Sequence, residues 1–468
     1  MTAERNASPP RSVLILAHSW PPDAYVGAVR PVYLARQLAR LGWQPVVVTV
    51  QERYYELKNT AGVAGTDSAL VIRTRCLPNP RRAYLWLKNL VARRRGRSPA
   101  LTTSSPATDE MSSPQGQGVS RSIPGRLKRT LLSLLYTPDE FQGWFPFALV
   151  ASLRAVARHR PKCVISTGPP FTSHLVALAL KGICGAKWVA DFRDPWSWRE
   201  GLPAEISSPV SDRINRSLEK IVMQRADRVV CVTPATTDRY RQLYPRLPAN
   251  KWLTITNGYD MAEFAGLGPV EKPDRFTISY IGGFDFSRTP LLVLRAVGEL
   301  VSAGMLDRLR VTLRFVGPCR YVGDRPVSQM IAESGLNGIA EIVGFVPRPE
   351  ALKEILRANV LVLLGGTQRL SVAAKVYEYV AAGKPILAIT EDGATAELIR
   401  RIGGGRVVAP NDLEGAKDAI VSWYKRYVQE GKAETLHWPQ DPGIAEEYSW
   451  DRLGARYAAA LEECSENK

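Results

Sequence analysis

Residues 365–385 read GGTQRLSVAAKVYEYVAAGKP, a loop of small residues running into a helix with Lys375 in its first turn and Glu378 one turn on. A helix N-terminus offers N–H groups without intrahelical partners and the positive end of the helix dipole. The backbone of Ser371, Val372, Ala373 and Ala374 can therefore receive a diphosphate, with Lys375 adding a point charge. Glu378 can accept hydrogen bonds from ribose hydroxyls. The same two residues also suit a solvent-facing i, i+3 ion pair worth roughly 0.2–0.5 kcal/mol, and residue types alone leave both readings open.

A second segment has the same potential. Gly282 and Gly283 follow an apolar run, and Arg288 precedes the next helical stretch. Glycines let a backbone approach a phosphate closely, and a guanidinium forks onto phosphate oxygens; a plain turn with a surface arginine reads the same way. In the first half, Asp191, Arg193 and Asp194 follow an apolar run, where acidic residues suit either catalysis or turn capping. His18, His159, His174 and His437 show no metal-ligand spacing.

The elements that position these residues are βα units. Short β-branched runs at 13–17, 45–50, 163–167, 187–190, 228–232 and 252–256 alternate with helical periodicity at 30–41, 172–180 and 214–226. A second series places strands at 276–281, 310–316, 342–345, 360–364, 385–389 and 406–409. Its helices are expected at 290–303, 349–359, 375–382 and 395–402. The expectation is an α/β chain of two Rossmann-like, doubly wound domains facing across a cleft, since 468 residues exceed one ordinary core. The domains are drawn at 1–258 and 259–440, with a helix in 441–468 returning to the first. Residues 92–125, rich in Ser, Thr, Pro, Gly and Arg, read as an insertion with little to pack.

Ala373 to Pro385 resembles the signature helix of retaining GT-B glycosyltransferases of the family 4 type, whose motif runs Pro-Ser-Lys-Leu-Tyr-Glu-Tyr-Leu-Ala-Ala-Gly-Lys-Pro. Gly282–Arg288 resembles the family's glycine loop and diphosphate-binding cation, carried here by Gly283 and Arg288. Gly344, Phe345, Val346 and Pro347 resemble the strand end where backbone meets the nucleotide base, at Val346. Asn257 to Asp260 resembles the interdomain hinge, and Gly27 stands alone where the family's N-terminal loop holds a glycine pair. Two departures are plain. The first acid of the family's Glu-x7-Glu would fall at 378 − 8 = 370, which is Leu370, and Asp191 or Arg193 stands near where many members place a histidine. The resemblance implies transfer from a nucleoside-diphosphate sugar with retention and no metal cofactor. It places Arg288 and Lys375 as catalytic, and Gly27, Gly283, Arg288, Val346, Ser371 to Ala374, Lys375 and Glu378 around the donor; Asp191, in the neighbourhood of the family's histidine whose role does not transfer, is the third catalytic candidate. A nucleotide-sugar epimerase or a non-catalytic protein on the same fold is the rival.

The net charge of +17 draws the chain to polyanions. Arg73 to Arg129 mixes basic residues with Tyr84, Trp86 and leucines, which suits an anionic membrane surface, whereas no nucleic-acid motif stands out. The expected partners are a nucleotide-sugar donor and a saccharide or lipid-linked acceptor. The run 13–17 is too short for a signal or a span. Six cysteines without paired spacing read as reduced. The protein is accordingly expected in the cytoplasm, peripheral on the inner membrane face, acting in surface polysaccharide or glycoconjugate synthesis.

Overall fold

The computed structural model describes residues 11–58, 66–79, 123–198, 208–271, 273–366, 369–429 and 442–466. These form two compact units. The first takes the described residues up to Thr256 and those from Leu453 on; the second runs from Asn257 to Arg452.

The first unit opens with β1 (Arg11–Leu16), α1 (Val29–Arg40), β2 (Trp43–Val50) and β3 (Leu70–Thr74). It continues through α2 (Ile123–Leu134), α3 (Phe145–His159), β4 (Cys163–Gly168), α4 (Thr172–Cys184) and β5 (Trp188–Phe192). Then come α5 (Pro209–Arg225), β6 (Arg228–Cys231), α6 (Pro234–Leu243) and β7 (Trp252–Thr254). The seven strands are parallel in the order β3-β2-β1-β4-β5-β6-β7. A parallel sheet is covered on both faces, which is why its strands are near-continuous apolar runs. Leu14, Ile15, Val47, Ile165 and Val189 are fully buried, each contributing about 1.5–3 kcal/mol relative to exposure.

The second unit carries α7 (Met261–Ala265), β8 (Phe276–Ile281), α8 (Leu291–Ser302), β9 (Val311–Val316) and a hairpin of β10 (Tyr321–Val322) and β11 (Arg325–Pro326). After α9 (Val327–Glu333) follow β12 (Ala340–Gly344), α10 (Arg348–Arg357), β13 (Val360–Leu364) and α11 (Lys375–Ala382). The unit ends with β14 (Ile386–Ile389), α12 (Ala394–Ile402), β15 (Gly405–Val408), α13 (Leu413–Gln429) and α14 (Pro442–Glu446). Its six parallel strands run β12-β9-β8-β13-β14-β15. Counted along its own strands, that order is the one used by dinucleotide-binding sheets. The last helix, α15 (Trp450–Glu466), belongs to the first unit from Leu453 on.

Some elements depart from the sequence reading. The edge strand β3, the helices α3, α6, α9 and α13, and the β10–β11 hairpin were not expected. α5 begins at Pro209 rather than 214, because Ser208 and Ser211 exchange side-chain to backbone hydrogen bonds, 3.2 and 2.9 Å, that cap it. Residues 123–125, the end of the expected insertion, start α2; its earlier part, 92–122, lies outside the described residues.

Candidate functional site

In the second unit, β8 and β13 are neighbours from which the chain winds outward in opposite directions. Open α/β sheets bind ligands beyond the C-terminal strand ends at such a switch point. The loops that leave there are residues 282–290 and, among the described residues, 365–366 and 369–374, within the two segments singled out for chemistry. They meet at Gly366, where a Cβ would lie 3.1 Å from Ser287 Oγ and 3.7 Å from Arg288 Cγ.

The first loop is shaped by Asp285. Its Oδ1 accepts from the amides of Ser287 and Arg288, both at 2.8 Å, and its Oδ2 pairs with Arg288 Nε at 2.8 Å. The Arg288 side chain remains 42% exposed, so its guanidinium can still reach an anion. Gly282 holds a φ of +146°, and a Cβ there would run into Lys375 Nζ. Gly282 adopts a φ that side chains rarely take and leaves space for the lysine tip, while the adjoining Gly283 accepts the Tyr280 phenol proton on its carbonyl at 2.7 Å.

Lys375 and Glu378 do not pair with each other in the expected i, i+3 manner. Lys375 Nζ donates to Tyr280 Oη at 3.2 Å and lies 4.3 Å from that ring's centre. Glu378 Oε1 pairs with Arg348 Nη1 at 2.9 Å, and the far side of Arg348 forks onto Glu263, its Nη2 2.7 Å from Oε2. Burial, reinforced by the Arg288 guanidinium, pushes Lys375 down to about 8. The turn before α11 is tightened by bonds from Val376 N to Ala373 O at 3.0 Å and from Tyr377 N to Ala374 O at 3.2 Å. The amides of Ala374 and Lys375 stand ahead of this ladder. Ser371 is held through its carbonyl by Thr395 Oγ1 at 3.1 Å, and Val372 to Ala374 complete the rim. Val346, half-buried, sits between the exposed Phe345 and Pro347, just before Arg348. Amides, an ammonium and a guanidinium thus surround one strand end, an arrangement that receives a polyanion. Sequence reasoning missed Tyr280 and Arg348: the first reads as a core aromatic of a strand, the second as an ordinary first residue of a helix.

Residues 27–258 match the family model of the Glycosyl transferase 4-like domain, and residues 275–426 match that of Glycosyl transferases group 1. The chain belongs to the glycosyltransferases. Solved structures similar to it include Anabaena Alr3699/HepE in complex with UDP, 13% identical with a TM-score of 0.59 over 97% of this chain and 100% of that one. Sucrose-phosphate synthase from Thermosynechococcus elongatus is 14% identical with a TM-score of 0.57 over 97% and 98%. A glycosyltransferase from Rickettsia africae is 12% identical with a TM-score of 0.57 over 98% and 100%. These likenesses show the GT-B fold. No curated protein matches the chain.

In the first unit of this glycosyltransferase, Asp191, the expected catalytic acid, has its partners within the fold. It is fully buried at the end of β5, with Arg30 on both oxygens, Nη2 to Oδ1 at 2.9 Å and Nε to Oδ2 at 3.1 Å. The Tyr457 hydroxyl reaches Oδ1 at 2.7 Å and Thr167 Oγ1 reaches Oδ2 at 2.8 Å. A carboxylate so enclosed has no face left for substrate, and it caps no loop either.

At Gly27, Arg193 Nη1 donates to the carbonyl at 2.6 Å, and a Cβ there would sit 2.9 Å from that nitrogen. His18 packs on Phe141 and Trp144, ring centres 4.1 and 5.4 Å away, and burial lowers it to about 3. His174 binds Ser166 Oγ through Nδ1 at 2.7 Å and is also lowered to about 3 by burial. Both are neutral core residues. Among the described residues of the glycosyltransferase, no helix is long and apolar enough to cross a membrane.

Proposed function

We propose that the second unit binds a nucleoside-diphosphate sugar and that the enzyme transfers its glycosyl group, with retention, to a saccharide or lipid-linked acceptor held mainly by the first unit. The observation that carries this reading is the Lys375 ammonium lodged against Gly282 at the β8/β13 switch point, with Arg288 and the start of α11 beside it. The Anabaena neighbour is solved with UDP, with UDP-glucose, and with UDP and glucose, which agrees with a diphosphate donor and a saccharide acceptor.

The chemistry follows from charge. As the bond from the sugar's anomeric carbon to the diphosphate breaks, negative charge grows on the leaving phosphate oxygen. Arg288, Lys375 and the first amides of α11 stabilise that charge more than the ground state. Glu378, held in place by Arg348, faces the ribose, and Val346 offers backbone to the base. No metal is called for. The acceptor is met at an anionic cytoplasmic membrane face, in the synthesis of a surface polysaccharide or glycoconjugate; the net charge of +17 supports this placement.

The test is a thermal-shift panel of UDP-, GDP- and dTDP-sugars, since a ligand bound only by the folded state raises its apparent stability. One base should stand out. Arg288→Ala should then lower turnover of that donor by about a hundredfold or more, the size seen when one preorganised electrostatic donor is lost. No stabilisation by any donor would overturn the reading.

A further inference from the structure

We propose that Tyr280 is the positioning residue for Lys375: its phenol, committed by its own proton to the Gly283 carbonyl, holds the lysine ammonium at the diphosphate site beside the loop after β8. The inference rests on the donor-site reading above.

Tyr280 is fully buried, its ring stacked on Phe284 at 4.9 Å, which in turn meets Phe315 edge-on at 5.2 Å. A phenol has one proton. Here it goes to Gly283 O at 2.7 Å, so toward Lys375 Nζ at 3.2 Å the phenol oxygen is the acceptor. The ammonium also lies 4.3 Å from the ring centre, where the π-face attracts a cation. Gly282, lacking a Cβ, closes the other side. A lysine on a flexible four-carbon stem is thereby held in one place, which core filling alone would not require: a phenylalanine would pack the same ring. The hydroxyl ties the turn that would contact phosphate to the cation that would neutralise it.

Lys375 is faced by Asp285 and Arg288 from the loop after β8, Tyr280 from β8, Cys319 from the turn after β9, and Glu378 from its own helix. Burial and Arg288 favour loss of its proton; Cys319, Glu378 and Asp285 favour its retention. An accepting phenol oxygen belongs with the second group. Removing it shifts the titration of Lys375 downward, an effect that lost packing does not produce.

The experiment is calorimetric titration of UDP, GDP and dTDP between pH 6.5 and 9.5 into the full chain and its variants. Tyr280→Phe is expected to weaken the diphosphate that binds by about tenfold, the size of one hydrogen bond to a charged group. It should also move the midpoint of the affinity loss to lower pH. Lys375→Gln should remove the fall in affinity centred near 8, leaving only the ligands' own ionisations, and adding Tyr280→Phe to it should change nothing further. Wild-type affinity and midpoint in Tyr280→Phe, with Lys375→Gln weakened, would overturn this proposal alone. An unweakened Lys375→Gln would instead overturn the donor-site reading. Should Tyr280→Phe fail to fold, Gly282→Ala crowds the ammonium with the phenol intact; an unchanged midpoint there would count against the arrangement.

Discussion

Arg30 and Asp191, separated by 161 positions in the chain, form a two-pronged ion pair in which both side chains are almost completely shielded, 3% and 0% exposed. Arg30 also donates to the carbonyls of Ile255 and Thr256, at 2.7 and 2.6 Å, where the chain leaves the first unit. Tyr457 joins the pair from α15, where the chain has re-entered it. One buried pair thus fastens both segments through which the backbone passes between the units' sequences.

Breaking it should be costly. Asp191→Ala leaves a buried guanidinium without its counter-charge, and a loss of about 3–5 kcal/mol is expected, measured by denaturant unfolding. Burial alone would raise the Asp191 pKa, but Arg30, Tyr457 and Thr167 hold it below the usual carboxylate range. A depressed carboxylate contributes stability above its unfolded pKa, near 4, and loses it as pH falls through the lower folded value. Wild type should therefore lose stability below about pH 4, and Asp191→Asn should flatten that part of the curve. An Asp191→Ala variant with wild-type stability and abolished turnover would restore the catalytic reading.

Donor binding should take up a proton. Lys375 titrates near 8 in the free site, and a bound diphosphate raises that value because it favours the ammonium. The sign follows: affinity is full below about 8 and falls as pH rises from there toward the bound value, by up to roughly tenfold per pH unit. Calorimetry of UDP, GDP or dTDP binding at pH 8 in buffers of differing ionisation enthalpy measures the uptake. Heats independent of buffer would remove Lys375 from the diphosphate.

Glu378→Ala should weaken nucleotide-sugar binding by about 1.5–3 kcal/mol, the worth of a charge-assisted contact, without unfolding the protein. Arg348 keeps its fork on Glu263 in that variant, so the local fold has a remaining anchor. Unchanged donor affinity in a folded variant, read by calorimetry, would sink the ribose assignment.

The basic segment should carry the chain to membranes. Arg93, Arg94, Arg95 and Arg97 lie outside the described residues, and the prediction rests on their charge alone. Sedimentation with liposomes should rise with anionic lipid, fall with salt, and weaken when the four are replaced by Gln. Equal sedimentation with neutral and anionic vesicles would mean that the acceptor is reached in solution.

What the sequence determined by itself is whatever short-range pattern carries. The runs 276–281 and 360–364 coincide with β8 and β13, and the helix 375–382 with α11, because apolar periodicity and the left-handed Gly383 cap are local signals. The two loops that leave these strands were legible for the same reason, whereas the grouping of Gly283, Arg288, Lys375 and Glu378 around one donor came from the family resemblance and not from local pattern. β3 was not, being a half-covered edge strand that carries Arg73 next to its end, and neither was α13, which lies beyond the last expected strand. Only the tertiary structure decided which partner each charge would take. Lys375 turned from Glu378 to Tyr280, Glu378 to Arg348, and Asp191 from the substrate to Arg30. A charge withdrawn from water must find its counterpart wherever the packed chain supplies one, and that residue stands 30 to 161 positions away in these three cases, beyond the reach of any local pattern.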